Sequence, residues 1–134
     1  MQVPPNSDLT LGMTCLDKAT PGRCTWRMRA DERFANTAGI MQGGLLGAFA
    51  DSSMGAAAVT FVEGRRVFVA NAEIKVSFLA AVPIPSELIC RAEVVSGGEQ
   101  VAFVEATVTA TIAGRADPLV VARATSTYIF KDRT

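Results

Sequence analysis

One stretch of the chain, residues 43–62, is apolar on nearly every side and carries a single charge, Asp51. A helix that is apolar all round its surface is typically buried in a core. A membrane span is disfavoured, because the carboxylate lies in the middle of the segment and alternating sequence follows it. Gly64 and the two arginines after it are typical of a helix end. The segment therefore predicts one long, buried helix.

After this helix the hydrophobic period changes to two and stays there. In residues 67–80 the even positions, from Phe68 to Ala80, form an apolar face, and Asn71 and its odd-numbered neighbours form a polar one. Further strands are predicted around residues 9–15, 23–30, 87–96, 100–113 and 119–130, with a hairpin turn at 96–99.

The last predicted strand alternates in the same way. Val120, Ala122, Tyr128 and Phe130 are assigned to its apolar face, against Val121 and a series of polar residues. Because every long strand has one apolar face, one antiparallel sheet with one covered side is expected. The predicted fold class is α+β: a curled antiparallel sheet wrapped around one long buried helix, in a single domain over residues 1–134, with 1–8 as a loose N-terminal arm.

Composition excludes several classes of function. The chain has no histidine, which removes imidazole acid–base chemistry and His-ligated metal sites, and no metal or other cofactor is expected. Thirteen basic and thirteen acidic residues give no net charge, which disfavours nucleic-acid binding. The three cysteines form no CxxC pair, and the N-terminus lacks the features of a signal peptide. These features predict a cytoplasmic protein with reduced thiols that binds neither nucleic acid nor membrane.

Residues 36–55 contain Asn36, Gly39 and the triplet Gln42-Gly43-Gly44, followed by Asp51 nine positions after the glutamine. This pattern resembles the signature of hotdog-fold acyl-CoA thioesterases, in the PaaI-like and 4-hydroxybenzoyl-CoA thioesterase superfamily. The resemblance continues in segments 76–79, 102–106 and 121–125 and covers roughly residues 10–130. It implies hydrolysis of an acyl-CoA or aryl-CoA thioester to the free acid and CoA.

Asp51 is the strongest candidate for catalysis. A carboxylate inside an apolar helix is costly unless it is paired or functional, and Gly47 and Gly55 leave room for a close approach. The alternative is a structural aspartate bonded to a backbone amide of a neighbouring strand. The resemblance implies that Asp51 is either the nucleophile or the base that activates water.

Gly43 and Gly44 open the helix, where free N–H groups and the positive end of the helix dipole could bind a developing oxyanion. The resemblance assigns this role to Gly43. It also implies that Asn36 contacts the thioester or the attacking water, and the alternative for Asn36 is a turn residue. Asn71 is assigned to a position near the carboxylate, with an exposed strand residue as its alternative.

Three residues depart from the family pattern. Gln42 replaces the commoner histidine and can position a substrate but cannot take a proton. Gly55 lies where some relatives carry a threonine, and Glu99 lies where many carry an arginine that contacts CoA phosphate. Arg65, Arg66 or Arg91 could substitute, although ordinary surface charges are the favoured interpretation. A non-catalytic hotdog protein that binds an acyl-CoA or apolar ligand therefore remains the alternative function.

Gly43 and Asp51 are eight residues apart on one helix, about 12 Å along its axis. One carbonyl group cannot contact both within a chain, so each site should combine Gly43 of one chain with Asp51 of another across a two-fold axis. The positive mean hydropathy of +0.28 also favours a covered apolar surface. A homodimer with shared sites is predicted, and two dimers stacked into a tetramer.

Overall fold

A six-stranded antiparallel sheet curls around one long helix in the computed structural model of the chain, which describes residues 6–133. In chain order the elements are α1 (Asn6–Leu11), β1 (Thr14–Asp17), β2 (Arg23–Ala30), a 3-10 turn (Glu32–Phe34), α2 (Gly43–Phe61), β3 (Val67–Phe78), β4 (Ser86–Gly97), β5 (Val101–Thr111) and β6 (Leu119–Asp132). The strands follow the order β1-β2-β4-β5-β6-β3, so β1 and β3 are the edges. The predicted fold class is confirmed.

The helix α2 packs one side against the sheet. That side consists of buried, mostly small residues: Leu46, Phe49, Ala50, Ser53, Met54, Ala57 and Ala58. The opposite side is not fully covered within one chain, and Val59 is 52% exposed. The uniform hydrophobicity of α2 therefore exceeds what the sheet of its own chain covers.

Both ends of α2 are fixed by contacts to loops and strands. Before the helix, the backbone N–H of Gln42 donates to the carbonyl of Phe34 at 2.8 Å. Near its end, the hydroxyl of Thr60 accepts from the N–H of Gly22 at 3.0 Å. Phe61 lies against the β4–β5 hairpin, where a Cβ at Gly97 would come within 2.9 Å of the phenyl ring. Only glycine fits this hairpin position without displacing the ring.

The N-terminal predictions are partly wrong. The strand expected around residues 9–15 begins only at Thr14, because Leu9–Leu11 belong to α1. Residues 6–8 of the predicted loose arm also lie in this short helix, and residues 1–5 lie outside the described part of the chain. The N–H of Met13 donates to the carbonyl of Asp8, which closes the helix before the strand begins.

A β-bulge changes the predicted faces of β3. Its pairing with β6 shifts between Asn71 and Glu73. Before the bulge the odd positions Val69 and Asn71 lie opposite buried β6 residues, and after it the even positions Ile74 to Phe78 do so. Because residues directly opposite each other share a face, Asn71 faces the helix and Phe68 faces outward. The single apolar face predicted from Phe68 to Ala80 is therefore wrong.

A second bulge, between Val108 and Thr109 in the β5–β6 pairing, corrects the start of β6. Val120 lies opposite Thr109 on the outer face, whereas Val121 is fully buried. Their predicted faces are therefore reversed. From Ala122 onward the alternation is as predicted, with Tyr128 and Phe130 buried.

The three cysteines are free, as predicted. Cys24 and Cys90 are buried in the core, and burial raises their pKa values to about 11 and about 12. Both therefore remain protonated thiols at neutral pH. Among residues 6–133, no helix combines the length and hydropathy that crossing a membrane would require.

Candidate active site

Asp51 lies in the middle of α2, half-buried, where the helix passes β6 and β3. Its Oδ1 atom accepts two hydrogen bonds: from Asn71 Nδ2 at 2.8 Å and from the Tyr128 hydroxyl at 2.5 Å. Within residues 6–133 no group donates to its other oxygen, Oδ2. The carboxylate is therefore held by side chains, and not by the strand amide considered as its structural alternative.

The bulge in β3 brings Asn71 to Asp51. Asn71 lies directly opposite Tyr128 in the β3–β6 ladder, so the two donors come from neighbouring positions on paired strands. The hydroxyl of Ser126 lies 3.2 Å from Asn71 Oδ1 and 2.8 Å from the carbonyl of Glu73, two acceptors for its proton. The contact with Ser126 orients the amide so that its Nδ2 group points to the carboxylate.

Tyr128 was not among the predicted site residues, although the sequence contained a signal for it. Tyr128 is 3% exposed and is the only tyrosine in the chain. A buried phenol needs a hydrogen-bond partner, and the buried face of β6 carries only one other polar side chain, Ser126. Burial, and then the contact with Asp51, raise the pKa of Tyr128 well above its usual range. The phenol therefore remains protonated and acts as a donor to Asp51.

The first turn of α2 leaves backbone donors free. The preceding residue, Gln42, is extended and exposed, and its side chain makes no capping hydrogen bond. Among the described residues, no acceptor is found for the N–H groups of Gly43 and Gly44. Gly44 is exposed, whereas Gly43 lies under the ring of Phe78. Both N–H groups are in the position expected of anion or oxyanion donors.

Asn36 has the turn role that was considered as its alternative. Its Oδ1 atom accepts from the N–H groups of Ala38 and Ile40, which makes it a turn residue. The turn leaves the Nδ2 group without an acceptor among the described residues. Asn36 and Gly43 line the same cleft, of about 340 Å³, together with apolar side chains such as Leu46 and Phe78.

The two groups of candidate residues are therefore separated along α2. Gly43 lies near Phe78 at one end of β3, Gly47 lies near Val76, and Asp51 binds Asn71 further along the strand. The helix thus runs antiparallel to β3. The cleft with its free N–H groups and the carboxylate lie at successive positions beside the same edge strand, about two turns of helix apart.

The other predicted site residues have structural neighbours. A Cβ at Gly55 would lie 3.7 Å from the ring of Tyr128, so the ring packs directly over this glycine. Arg65 donates to the carbonyl of Glu99 and to the carboxylate of Asp132. Its guanidinium is thus occupied within the chain. Arg91 lies opposite Thr107 on the outer face of the sheet, away from α2.

Comparisons with known proteins agree with this architecture. Residues 38–116, more than half of the chain, match the family model described as the thioesterase superfamily. A search of curated proteins finds no significant match. Among solved structures, the chain is similar to a thioesterase family protein from Silicibacter pomeroyi, with 28% identity and a TM-score of 0.87. That alignment covers 96% of this chain and 91% of the other.

Two more distant structures share the fold. The Escherichia coli PaaI protein, from the phenylacetic acid degradation operon, has 16% identity and a TM-score of 0.83, covering 95% of this chain and 85% of its own. A Streptococcus mutans protein bound to acetyl CoA has 16% identity and a TM-score of 0.80, covering 99% of this chain and 94% of its own.

Proposed function

Because the chain belongs to the thioesterase superfamily, we propose that it hydrolyses the thioester bond of an acyl-CoA or aryl-CoA. The products are the free acid and CoA. The acetyl CoA in the Streptococcus mutans structure supports a CoA thioester as the ligand. The cytoplasmic location expected from the sequence is part of the same proposal.

The observation that carries this proposal is the state of the Asp51 carboxylate. Two donors hold one of its oxygens, while the other faces no donor within the described chain. Asp51 Oδ2 is not among the buried unpartnered polar atoms of the described residues, so it reaches the surface. This oxygen is therefore available to a substrate or a water molecule.

Two routes for hydrolysis fit this carboxylate. As nucleophile, Asp51 attacks the carbonyl carbon, the C–S bond breaks, the CoA thiolate leaves, and water then cleaves the mixed anhydride. As base, Asp51 takes a proton from water, the hydroxide attacks the carbonyl carbon, and the thiolate leaves with a proton. A single turnover in water labelled with oxygen-18 distinguishes the two routes. Labelled oxygen can enter the Asp51 carboxylate only through the mixed anhydride of the nucleophile route. In both routes the N–H of Gly43 polarises the carbonyl oxygen.

We infer that the cleft at Gly43 and the carboxylate of Asp51 belong to one active site that is completed across a dimer. β3 is a twelve-residue edge strand, and its exposed Ile74 and Phe78 lie beside backbone groups that have no partner strand within residues 6–133. Such an edge favours pairing with another chain. Antiparallel pairing of two β3 strands about an axis near Ile74 and Lys75 would place Phe78 of one chain opposite Asn71 of the partner subunit. Gly43 of one chain would then approach Asp51 of the partner subunit.

In such a site Asn36 and Gly43 would donate to the thioester oxygen, and Gln42 and Gly44 would contact the substrate at the mouth of the cleft. Asn71 would act through the carboxylate it binds. Gly55, under Tyr128, would contribute space rather than a hydrogen bond. No cofactor takes part in either route.

A panel of acyl-CoA and aryl-CoA substrates, assayed by release of the free CoA thiol, tests the proposal. We expect turnover of at least one member, at a rate well above that of the uncatalysed reaction. The buried Cys24 and Cys90 should contribute little background to such an assay. Saturable binding of an acyl-CoA without any release of thiol would contradict the proposal.

Binding of an acyl-CoA without release of thiol is the outcome expected of the alternative function, a non-catalytic protein that binds an acyl-CoA. Gln42, which cannot take a proton, keeps this alternative open. The guanidinium of Arg65 binds Glu99 and Asp132, so neither function can rely on it for a CoA phosphate. Calorimetric titration with a non-hydrolysable acyl-CoA analogue would measure binding separately from turnover.

We further expect two dimers to stack into a tetramer. The outer face of the sheet carries a run of threonines on β5 and β6 and exposed aromatic residues, with Phe68 58% and Phe103 47% exposed. Light scattering at micromolar concentration should give four times the chain mass of 14.1 kDa. Phe103→Lys should reduce this to two chains if the outer face is the interface. A wild-type mass of two chains would contradict the stacking.

A further inference from the structure

Asp51 has two chemically equivalent oxygens, and the fold distinguishes them. Oδ1 accepts from Asn71 and Tyr128, whereas Oδ2 has no donor within residues 6–133. The two donors are also of different kinds. Asn71 is exposed on an edge strand, whereas Tyr128 is buried on β6 between two other strands. Tyr128 is therefore the more rigidly placed of the two.

Three contacts with α2 hold the side chain of Tyr128. Its ring packs against Gly55, one turn after Asp51, at an ordinary contact distance to the Cβ that an alanine would carry. Its hydroxyl lies 2.9 Å from the backbone carbonyl of Asp51 as well as 2.5 Å from Oδ1. The phenol thus contacts both the backbone and the side chain of Asp51, and so sets the side-chain torsion of this residue.

We propose that Tyr128 is a positioning residue for the active site: together with Asn71 it holds Oδ1 of Asp51 and thereby directs Oδ2 to the reacting carbon or water. This role rests on the proposed thioesterase function. Gly55 contributes to this positioning, because a long side chain at position 55 would push the ring of Tyr128 away from α2. The two carboxylate oxygens differ only because Asn71 and Tyr128 bind one of them.

The first test is Tyr128→Phe, which keeps the buried ring and removes only the hydroxyl. We expect kcat to fall roughly tenfold, since a charge-assisted hydrogen bond that fixes the reacting group is lost, with KM within twofold of wild type. The matched control is Ser53→Ala, which also removes a buried hydroxyl. Ser53 lies on α2, and its hydroxyl donates to the backbone carbonyl of Phe49. This control variant should leave kcat unchanged. An unchanged kcat in Tyr128→Phe would overturn the proposal.

A second measurement does not depend on activity. Because Tyr128 is the only tyrosine, its near-ultraviolet absorbance can be followed in the intact protein at neutral pH. A phenol that donates to a carboxylate absorbs at longer wavelength than one that donates to a weaker, neutral acceptor. Asp51→Asn should therefore shift the tyrosine band to shorter wavelength in the difference spectrum, with folding verified by circular dichroism.

The two measurements separate the proposals. If wild type hydrolyses no member of the panel, the thioesterase function fails, and the absorbance difference still decides whether Tyr128 holds Asp51. If wild type is active, kcat of Tyr128→Phe decides whether that contact serves the reaction. An identical tyrosine band in wild type and Asp51→Asn would show that the contact is not formed, and would overturn the positioning role in either case.

Discussion

Asp51→Asn should lower kcat by at least ~100-fold, the low end of what a positioned acid–base group contributes, with the fold intact. The asparagine Oδ1 can still accept from Asn71 and Tyr128, so the side chain keeps its place. Its NH2 group then occupies the position of Oδ2, where it can neither attack a carbonyl carbon nor take a proton. The substitution therefore replaces only the atom proposed to react.

The control for this variant is Asp117→Asn, an exposed carboxylate in the turn between β5 and β6 that is remote in sequence from α2. It removes the same charge and should leave kcat within twofold of wild type. The measurement is the steady-state rate of thiol release on the best substrate of the panel. Near wild-type turnover in Asp51→Asn would remove Asp51 from the mechanism.

Sequence periodicity was sufficient to predict the helix and the sheet because both depend on patterns that extend over many residues. The helix at 43–62 was predicted within one residue of its observed end, Phe61. Apart from the N-terminal strand, which is replaced in part by α1, the strand predictions failed at single positions. A bulge adds one residue to one strand, so every side chain beyond it points to the opposite face from the one that simple alternation predicts. No change in composition marks the bulge between Asn71 and Glu73.

The same bulge explains why the candidate site was predicted only in part. Asp51 and the Gly43-Gly44 pair lie on one helix, so their spacing can be read along the sequence. The contacts of Asp51 come from β3 and β6, twenty and seventy-seven residues away. Their meeting depends on strand register, which is set by tertiary pairing. Asn71 was placed on the wrong face for this reason, although its nearness to the carboxylate was expected.

Mixing two inactive chains should restore activity if the sites are shared between subunits. One chain carries Asp51→Asn and the other carries Gly43→Pro, which deletes the N–H proposed to polarise the carbonyl and should cost roughly 100-fold in kcat. In their heterodimer, one site combines the intact Gly43 of the first chain with the intact Asp51 of the second. Full exchange of equal amounts should return about a quarter of the wild-type sites.

Proline suits position 43 for two local reasons. It is the first residue of α2, where a missing N–H costs no helical hydrogen bond. The preceding Gln42 has φ −63° and ψ 129°, the extended conformation that a following proline requires. The added ring carbons would meet the ring of Phe78, because a Cβ at Gly43 would lie 3.3 Å from it, so the dimeric state of this variant is verified before the chains are mixed.

A chain that carries both substitutions is the matched control, because shared and unshared sites then predict opposite results. In a heterodimer of wild type with the double variant, shared geometry leaves each site with one defect, so an excess of the double variant should suppress wild-type activity. Unshared geometry leaves the wild-type chain fully active in that mixture. Subunit exchange is verified beforehand by differently tagged chains. If exchange is complete, no recovery in the first mixture together with no suppression in the second would place Gly43 and Asp51 in separate sites.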